Sequence, residues 1–425
     1  MVIAEQAATI EALRAELAVV RAEAAELRRR LGLNSSNSSR PPSSDGLGKP
    51  PPRSLRERSG RRPGKQPGSP GAALRQVVDP DVVFEHRPQR CDGCAGNLDA
   101  APVSGVQRRQ VFDLPETRLV SVEHRLLTCR CVCGTATAGS APAGVTAPAQ
   151  YGPGVAAVGT WLLVGHHLPV ARCAQILTML LGARVSTGWL AGQPAATAAG
   201  LVPFHERVAA AVRSSPVVHF DETGLRVAGC LRWLHVACTP LSTVYHLAET
   251  RSRAAINTMN ILPALTAGQV AVHDGWSPYL MPDYQQTGHA MCNAHHLREL
   301  DGWARTHPEK CAWAGTLAQI LREAWHAVKT ARTTGQDHLD PNLLHALHER
   351  WQAGIDAAHH AYPPVKGIRH PVRALINRMR GLTPEIWCFT RDLRVPFDNN
   401  QAERDIRMTK IQMKISGAWR TTTGA

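Results

Sequence analysis

The sequence has no long apolar stretch, and no run approaches the roughly 20 residues that a membrane-spanning helix needs. Its first residues are acidic and rich in alanine, unlike a secretory signal peptide. We therefore expect no membrane partner and a cytoplasmic location. Eleven cysteines in such a chain favour reduced thiols and metal ligands over a disulfide framework.

Acidic residues are in short supply relative to basic ones. Asp and Glu total 34 against 48 Lys and Arg, which gives a net charge of +14. A surplus of this size favours a polyanionic partner, and nucleic acid is the obvious one. The length of 425 residues exceeds what one hydrophobic core supports, so we expect two to four folded units.

Residues 1–33 show an apolar repeat with alternating spacings of three and four, which is the seam of a coiled coil. A seam this narrow needs a partner helix, so self-association into a homo-oligomer is the favoured interpretation. Packing against the chain's own body is the alternative. The seam residues are Ile10, Leu13, Leu17, Val20, Ala24, Leu27 and Leu31.

Residues 34–80 are rich in Ser, Asn, Pro and basic side chains, which predicts a disordered linker. Within it, Arg61, Arg62 and Lys65 resemble an extended arm that lies in a DNA minor groove. A solvated basic linker explains the same pattern equally well.

Two cysteine clusters frame a predicted zinc-binding β module at residues 81–140. We expect the first Cys-x-x-Cys pair and the last two thiols of the second cluster to bind Zn²⁺, as in a four-thiolate zinc ribbon. A cluster without metal is the alternative. The expected ligands are Cys91, Cys94, Cys131 and Cys133, with Cys129 as the alternate, and strand-like runs lie around Gln110–Phe112 and Leu119–Leu127.

Residues 150–210 have helical apolar periodicity. A break at Gly182 and a cap at Ser186 give the outline of a DNA-binding helix-turn-helix, and a plain helical bundle is the alternative. From Val217 the pattern becomes β-rich, with strands at 217–220, 232–239, 242–248 and 269–273. Residues 301–390 are almost entirely helical in pattern.

Three acidic residues stand in distinctive phrases. Asp221 and Asp274 follow short β-branched runs that predict buried strands ending at an acid, and Glu403 opens a polar, basic helix. Acids from two strands and a helix can hold two divalent ions that clamp the oxygens of a phosphodiester. Any one of these acids alone is more often a loop residue or a helix cap.

The final helix places basic residues beside the last acid. Arg407, Lys410 and Lys414 follow Glu403 at spacings that share one helical face. These cations are candidate contacts to the DNA backbone, and a surface helix with salt-bridge pairs is the alternative.

Several of these phrases resemble those of the insertion-sequence 66 family of transposases. The resemblance runs along nearly the whole chain, and the serine-rich and last phrases are the most specific. The matching phrases are Leu33–Asp45, Gly64–Gly68, Asp221–Gly224 with Trp233 and His235, His273–Trp276 with Tyr279, Cys292–Arg298, and Asp398–Arg404 through Lys414–Gly417.

The resemblance implies a multidomain α+β protein with a ribonuclease-H-like catalytic core. The first part of the core would span 215–300, an all-helical insertion 301–390, and the final catalytic helix 391–425. Asp221, Asp274 and Glu403 match the family's Asp-Asp-Glu triad, which implies Mg²⁺ or Mn²⁺. Cys292 and His295 form a similar phrase near the triad, and a structural role for them is equally open.

The expected function is a DNA transposase that cleaves double-stranded DNA at the ends of a mobile element and joins it to target DNA. The alternative is a catalytically inactive or truncated DNA-binding remnant, and a nuclease that cuts without joining is a further rival. The resemblance also implies element-encoded helper proteins as partners and a bacterial, nucleoid-associated setting.

Overall fold

The structure is a computed structural model that separates into two compact units. One comprises Met1–Arg53, Tyr151–Cys173 and Ser186–Ala425, and the other Ser54–Gln150 and Ala174–Val185. The predicted coiled coil and the basic arm lie outside the described residues, except for Leu17 and Val20, which are helical. Beyond these two, the described residues are 74–115, 117–364, 370–422 and 424.

The smaller unit contains a short antiparallel hairpin, β1 (Thr128–Arg130) and β2 (Ala136–Ala138). The prediction of strands around 110–112 and 119–127 was wrong, since these residues form no strand. Their apolar side chains remain exposed, including Val111 at 92%. Without a neighbouring strand to pair with, alternation of apolar residues does not suffice to build a sheet.

The helical prediction for 150–210 is confirmed. The Ser186 hydroxyl accepts a hydrogen bond from the Trp189 backbone N–H at 3.1 Å and so caps a helix, while Gly182 takes a positive φ of 68°. The helices are α1 (Pro153–Thr160), a π-helical turn (Trp161–Gly165), α2 (Val170–Leu181), α3 (Thr187–Gly200) and α4 (Val202–Arg213).

The larger unit is built on a five-stranded mixed sheet of order β5-β4-β3-β6-β7. The three strands β3, β4 and β5 form an antiparallel meander, and β6 and β7 continue the sheet in parallel with β3. A helix, α5, and a 3-10 turn lie between β5 and β6. The bounds are β3 (Val217–Val227), β4 (Cys230–Cys238), β5 (Thr243–Ala248), α5 (Arg253–Met259), a turn (Leu262–Ala264), β6 (Val270–His273) and β7 (Gly288–Met291).

The first strand differs from its prediction. It does not end at Asp221 but runs on to Val227, because its second half keeps pairing with β4. The turn between these strands has positive φ at both Ala228 and Gly229, as two-residue hairpin turns require. Strand β7 was not predicted.

Helices cover both faces of the sheet. On one face, side chains of α4 and α5 pack against Val218 and Phe220 of β3. On the other, Ala402 and Ile406 pack against β4. Because alternate residues of a strand point to opposite faces, the two faces of β3 pack against different helices.

The region between the sheet and the last helix is all helical among the described residues, as predicted. Its core centres on buried aromatic residues such as Trp351 and Trp387 and includes Val272 of β6. The chain enters and leaves it at one place, since the Asn293 N–H donates to the Phe397 carbonyl at 3.0 Å. The helices are α6 (Asn293–Thr306), α7 (Ala312–Thr333), α8 (Pro341–Ala361), α9 (Pro371–Gly381), α10 (Thr383–Ile386), α11 (Cys388–Arg391) and α12 (Asn400–Ser416).

Two further 3-10 turns, Ser277–Leu280 and Pro282–Tyr284, connect β6 to β7. Among the helices that the structure describes, none has the length and apolar character needed to cross a membrane.

Candidate functional site

Asp221 and Asp274 lie at the same level of two neighbouring parallel strands. The β3–β6 register pairs Val217 with Val270 and His219 with Val272, an offset of 53 residues. Continuing that offset by two residues places Asp221 beside Asp274, immediately after β6 ends. The sheet therefore brings two of the predicted acids together.

Glu403 reaches the same region from the first turn of α12. This helix is fastened to β3 at both ends. At its start, the Asn399 side-chain amide donates to the Phe220 carbonyl at 2.7 Å. Past its end, the Trp419 N–H donates to the Arg226 carbonyl at 2.9 Å. Strand β3 thus sets the position of the helix that carries the third acid.

Asn399 links the helix start to the sheet through a second bond, between its Oδ1 and Nδ1 of His219 at 2.9 Å. Its backbone N–H also donates to Sγ of Cys292 at 3.2 Å. The residue is 2% exposed. A buried amide with all these groups paired is a strong positional constraint.

The three acids repel one another electrostatically. Burial raises the pKa of Asp221 well above its usual range, and the nearby carboxylates of Glu222, Asp274 and Glu403 raise it further. Negative charge is therefore concentrated around Asp221. A bound divalent cation would offset this charge, so the residues fit a metal site.

The carboxylate oxygens of Asp221, Asp274 and Glu403 are not all within 4.8 Å of one another, since among the described residues no three carboxylates meet that distance. Asp221 is partly buried, and the side chains of Asp274 and Glu403 are 32% and 35% exposed. All three acids therefore keep some contact with solvent.

Glu222 occupies the opposite face of β3 from Asp221, and its side chain is almost fully buried. The Tyr279 hydroxyl donates to it at 2.5 Å, and Nε of Arg251 donates to it at 2.6 Å. Burial and then the nearby Asp274 raise its pKa to about 6, and Arg251 opposes the rise.

Arg251 connects this buried acid to the predicted site. Its Nη2 lies 3.8 Å from Oδ2 of Asp274, while its guanidinium lies 4.3 Å from the Trp276 ring centroid and 5.5 Å from that of Trp233. Such cation–π contacts hold the guanidinium in a fixed plane. Sequence reasoning missed Arg251, although the neighbouring Asp-Glu pair in β3 was a signal that a second acid needed a partner.

A second group lies on the other side of Glu403. The ligand atoms of Cys292, His295 and Glu403 lie within 4.8 Å of one another, and Nε2 of His295 is 3.8 Å from Oε1 of Glu403. The structure therefore places the predicted near-site residues Cys292 and His295 directly beside the third acid.

The predicted DNA contacts of the last helix lie on its outer surface. Arg407 and Lys414 are exposed, and Lys410 is partly buried. In the part of the chain that the structure describes, none of the three pairs with an acid. The other predicted contacts, Arg61, Arg62 and Lys65, lie outside the described residues.

The predicted zinc ligands sit at two tight turns. In the first, the Ala95 N–H donates to the Cys91 carbonyl at 2.8 Å, and hydrogen bonds from Cys94 lower the pKa of Cys91. In the second, the Thr135 hydroxyl and then the Cys131 thiol lower the pKa of Cys133 to about 7.

The two cysteine turns do not form one ligand group in this structure. Among the described residues, no three cysteines have their sulfur atoms within 4.8 Å of one another. Cys129 lies in the middle of β1, away from the turn that holds the preferred pair.

Comparison with known proteins identifies the class of molecule. A family model described as "Transposase IS66 family" matches residues 148–425, which include the mixed sheet, the helical region and α12. The chain belongs to this transposase family. A second model, for a family of unknown function (DUF6444), matches residues 1–75.

No curated protein matches the chain. Among solved structures, the chain is similar to one in the cryo-EM structure of a simian T-cell lymphotropic virus intasome in complex with the PP2A regulatory subunit B56 gamma. The two share 13% sequence identity with a TM-score of 0.16, and the match covers 50% of this chain and 78% of that one.

Proposed function

We propose that this transposase is an Asp-Asp-Glu enzyme whose catalytic residues are Asp221, Asp274 and Glu403. The observation that carries the proposal is the shared level of Asp221 and Asp274 on neighbouring strands, with Glu403 held against the same strand by α12. The strand order, with three antiparallel strands followed by two parallel ones, is the arrangement expected of a ribonuclease-H-like core.

Two Mg²⁺ or Mn²⁺ ions bound by these acids would activate the attacking oxygen and neutralise charge on the phosphate. The protein's own contribution is to hold the acids in position. Strand β3 fixes Asp221 directly and fixes Glu403 through Asn399, while Arg251 lies beside Asp274. The cations of α12 would hold the DNA backbone in register.

The reaction has two phosphoryl transfers. Water attacks a phosphodiester at the element end, which leaves a 3′-hydroxyl and a 5′-phosphate. That 3′-hydroxyl then attacks a phosphodiester of target DNA and expels a new 3′-hydroxyl, so the number of bonds is conserved. Both steps use the same acids, and neither requires a covalent bond to the protein.

The experiment is a cleavage and joining assay with Mg²⁺ and double-stranded DNA that carries the inverted repeats flanking the gene. We expect Asp221→Asn, Asp274→Asn and Glu403→Gln each to lower cleavage by about three orders of magnitude, because a metal ligand supplies several kcal/mol. DNA binding in a gel-shift assay should be retained.

Matched controls are Asp283→Asn and Glu206→Gln, which alter an acid on an exposed surface. These controls should cleave like the wild type. Full cleavage by any triad variant would remove that residue from the catalytic set. Cleavage without joined products would favour a nuclease, and DNA binding without cleavage would favour the inactive remnant.

A further inference from the structure

We propose that Cys292, His295 and Glu403 form a binding site for a thiophilic divalent ion, with Zn²⁺ as the type. Cys292 lies just after β7, His295 in the first turn of α6, and Glu403 in the first turn of α12. The three ligand atoms already lie within 4.8 Å of one another. They are the only such group of His, Cys, Asp and Glu side chains within the described residues.

The donor set selects the type of metal. A thiolate, an imidazole and a carboxylate suit Zn²⁺, whereas Mg²⁺ prefers oxygen ligands alone. Three protein ligands leave a fourth tetrahedral position open. The set therefore differs in chemistry from the all-carboxylate triad, although it shares Glu403 with it.

His295 is available for such a role. Its Nδ1 is buried without a hydrogen-bond partner, and its Nε2 reaches only Glu403, at 3.8 Å. Buried ring nitrogens usually pair with a carbonyl, a carboxylate or a metal, so the imidazole of His295 has a nitrogen free to take a ligand. His296, the next residue, is different, because its Nδ1 is paired with Asn293 at 3.2 Å.

Cys292 is held in place by the same anchor that positions the last helix. Its sulfur accepts the Asn399 N–H, and its own N–H donates to the His273 carbonyl at 2.8 Å. The thiol is thus fixed between β6 and the start of α12. Zinc bonds of about 2.0–2.3 Å need ligand atoms roughly 3.5 Å apart. Side-chain rotations that move the ligand atoms by about 1 Å would bring them to this spacing around an ion.

If the proposed function is right, a zinc ion bound at this site would also affect catalysis. Zinc at this site and the catalytic ions would compete for the carboxylate oxygens of Glu403. A zinc ion held by Cys292 and His295 would draw Glu403 away from Asp221 and Asp274, and would therefore inhibit cleavage.

The test measures binding and needs no DNA. The protein is stripped with a chelator, equilibrated with ZnCl₂ and desalted, and its zinc content is determined by elemental analysis. We expect Cys292→Ser and His295→Asn each to hold about one zinc per chain fewer than the wild type. Cys311→Ser is the matched control, because Cys311 is also buried but lies outside the group.

Equal zinc contents in the wild type and the His295→Asn variant would overturn the proposal. His295 is partly exposed, so this variant decides the matter even if Cys292→Ser fails to fold. The outcome is separable from the proposed function. If the wild type does not cleave DNA but the His295→Asn variant loses one zinc, the zinc site is supported and the proposed catalytic function is not. If the wild type cleaves DNA and the variant keeps its zinc, only the zinc site is overturned.

Discussion

The side-chain amide of Asn399 donates a hydrogen bond to the backbone carbonyl of Phe220, which is the residue immediately before Asp221. One buried amide thus joins the strand that carries the first acid to the helix that carries the third. This contact explains how acids separated by 182 positions in the sequence, at 221 and 403, are held in one fixed relationship.

The first prediction concerns this contact. Asn399→Ala leaves His219 and the Phe220 carbonyl without their partner, so we expect a loss of about 2 kcal/mol in the free energy of unfolding. Cleavage should fall as well, because Glu403 loses its anchor. Chemical denaturation and the cleavage assay measure both effects. The neighbouring exposed residue provides the control, Asn400→Ala, which should change neither. An Asn399→Ala protein of wild-type stability would mean that other contacts position α12.

The second prediction follows from the crowded acids. The raised pKa of Asp221 means that the folded protein binds more protons than the unfolded chain. Stability of the metal-free protein should therefore fall as pH rises from about 4, the ordinary carboxyl range, through about 6, where Glu222 titrates. Asp221→Asn removes one of the mutually repelling charges and should raise stability at pH 7 by about 1 kcal/mol, or ~2–4 °C in Tm.

Thermal melts in EDTA across pH 4 to 8 would measure this effect. The gain of Asp221→Asn should vanish at the acid end, where the wild-type carboxyl is protonated. Asp283→Asn serves as the control, since that side chain is half exposed. A variant less stable than the wild type at pH 7 would show that Asp221 is not electrostatically strained.

The third prediction concerns Arg251. Arg251→Gln strips the buried Glu222 of its cation, and we expect a loss of roughly 2 kcal/mol in stability, below the usual range for a buried pair because Arg251 is one-third exposed. Adding Glu222→Gln should recover most of that loss. Urea unfolding of both single variants and the double variant gives the coupling energy.

The matched control is Arg253→Gln, which removes an arginine from an exposed pair with Asp283. This change should cost no more than about 0.5 kcal/mol. Additive losses for Arg251 and Glu222 would show that the two side chains do not depend on each other.

The fourth prediction concerns the cysteine turns. We expect Cys94→Ser protein, as purified without chelator, to contain about one zinc per chain fewer than the wild type, because a four-thiolate site needs every ligand. Cys129→Ser should have a smaller effect than Cys133→Ser. The reverse order in elemental analysis would mean that the alternate thiol is the true ligand.

The fifth prediction concerns residues 1–33. Deleting this segment should weaken self-association and the pairing of two element ends, while binding to one end stays nearly unchanged. Light scattering and a two-end bridging assay would measure the effects. Unchanged bridging in the shortened protein would place the oligomer contact elsewhere.

The sequence was sufficient to predict the strand that contains Asp221 and the strand that ends just before Asp274, because β-branched residues cluster before each acid. It was sufficient for the helical region as well, where periodicity extends over many turns. It was insufficient for β7, since Gly288–Met291 has neither β-branched residues nor alternation. That strand forms because β6 offers it a parallel edge.

The contacts around Glu222 could not be predicted for a different reason. Arg251, Trp276 and Tyr279 come together only when the segments after β5 and β6 fold over the same face of β3. No local pattern encodes that meeting. The group of Cys292, His295 and Glu403 also depends on tertiary structure, although its first two members stand three residues apart.

The hydrogen bond between Asn293 and Phe397 has a consequence for how this protein can change over time. Everything between these residues leaves the sheet and returns to the same point, while the core of the helical region packs against β6 and β7. Loops of this region that lie away from β6 and β7 can therefore grow or shrink without changing where the chain leaves and rejoins the sheet. Selection can therefore remodel the accessory surface of the enzyme while the acids keep their spacing.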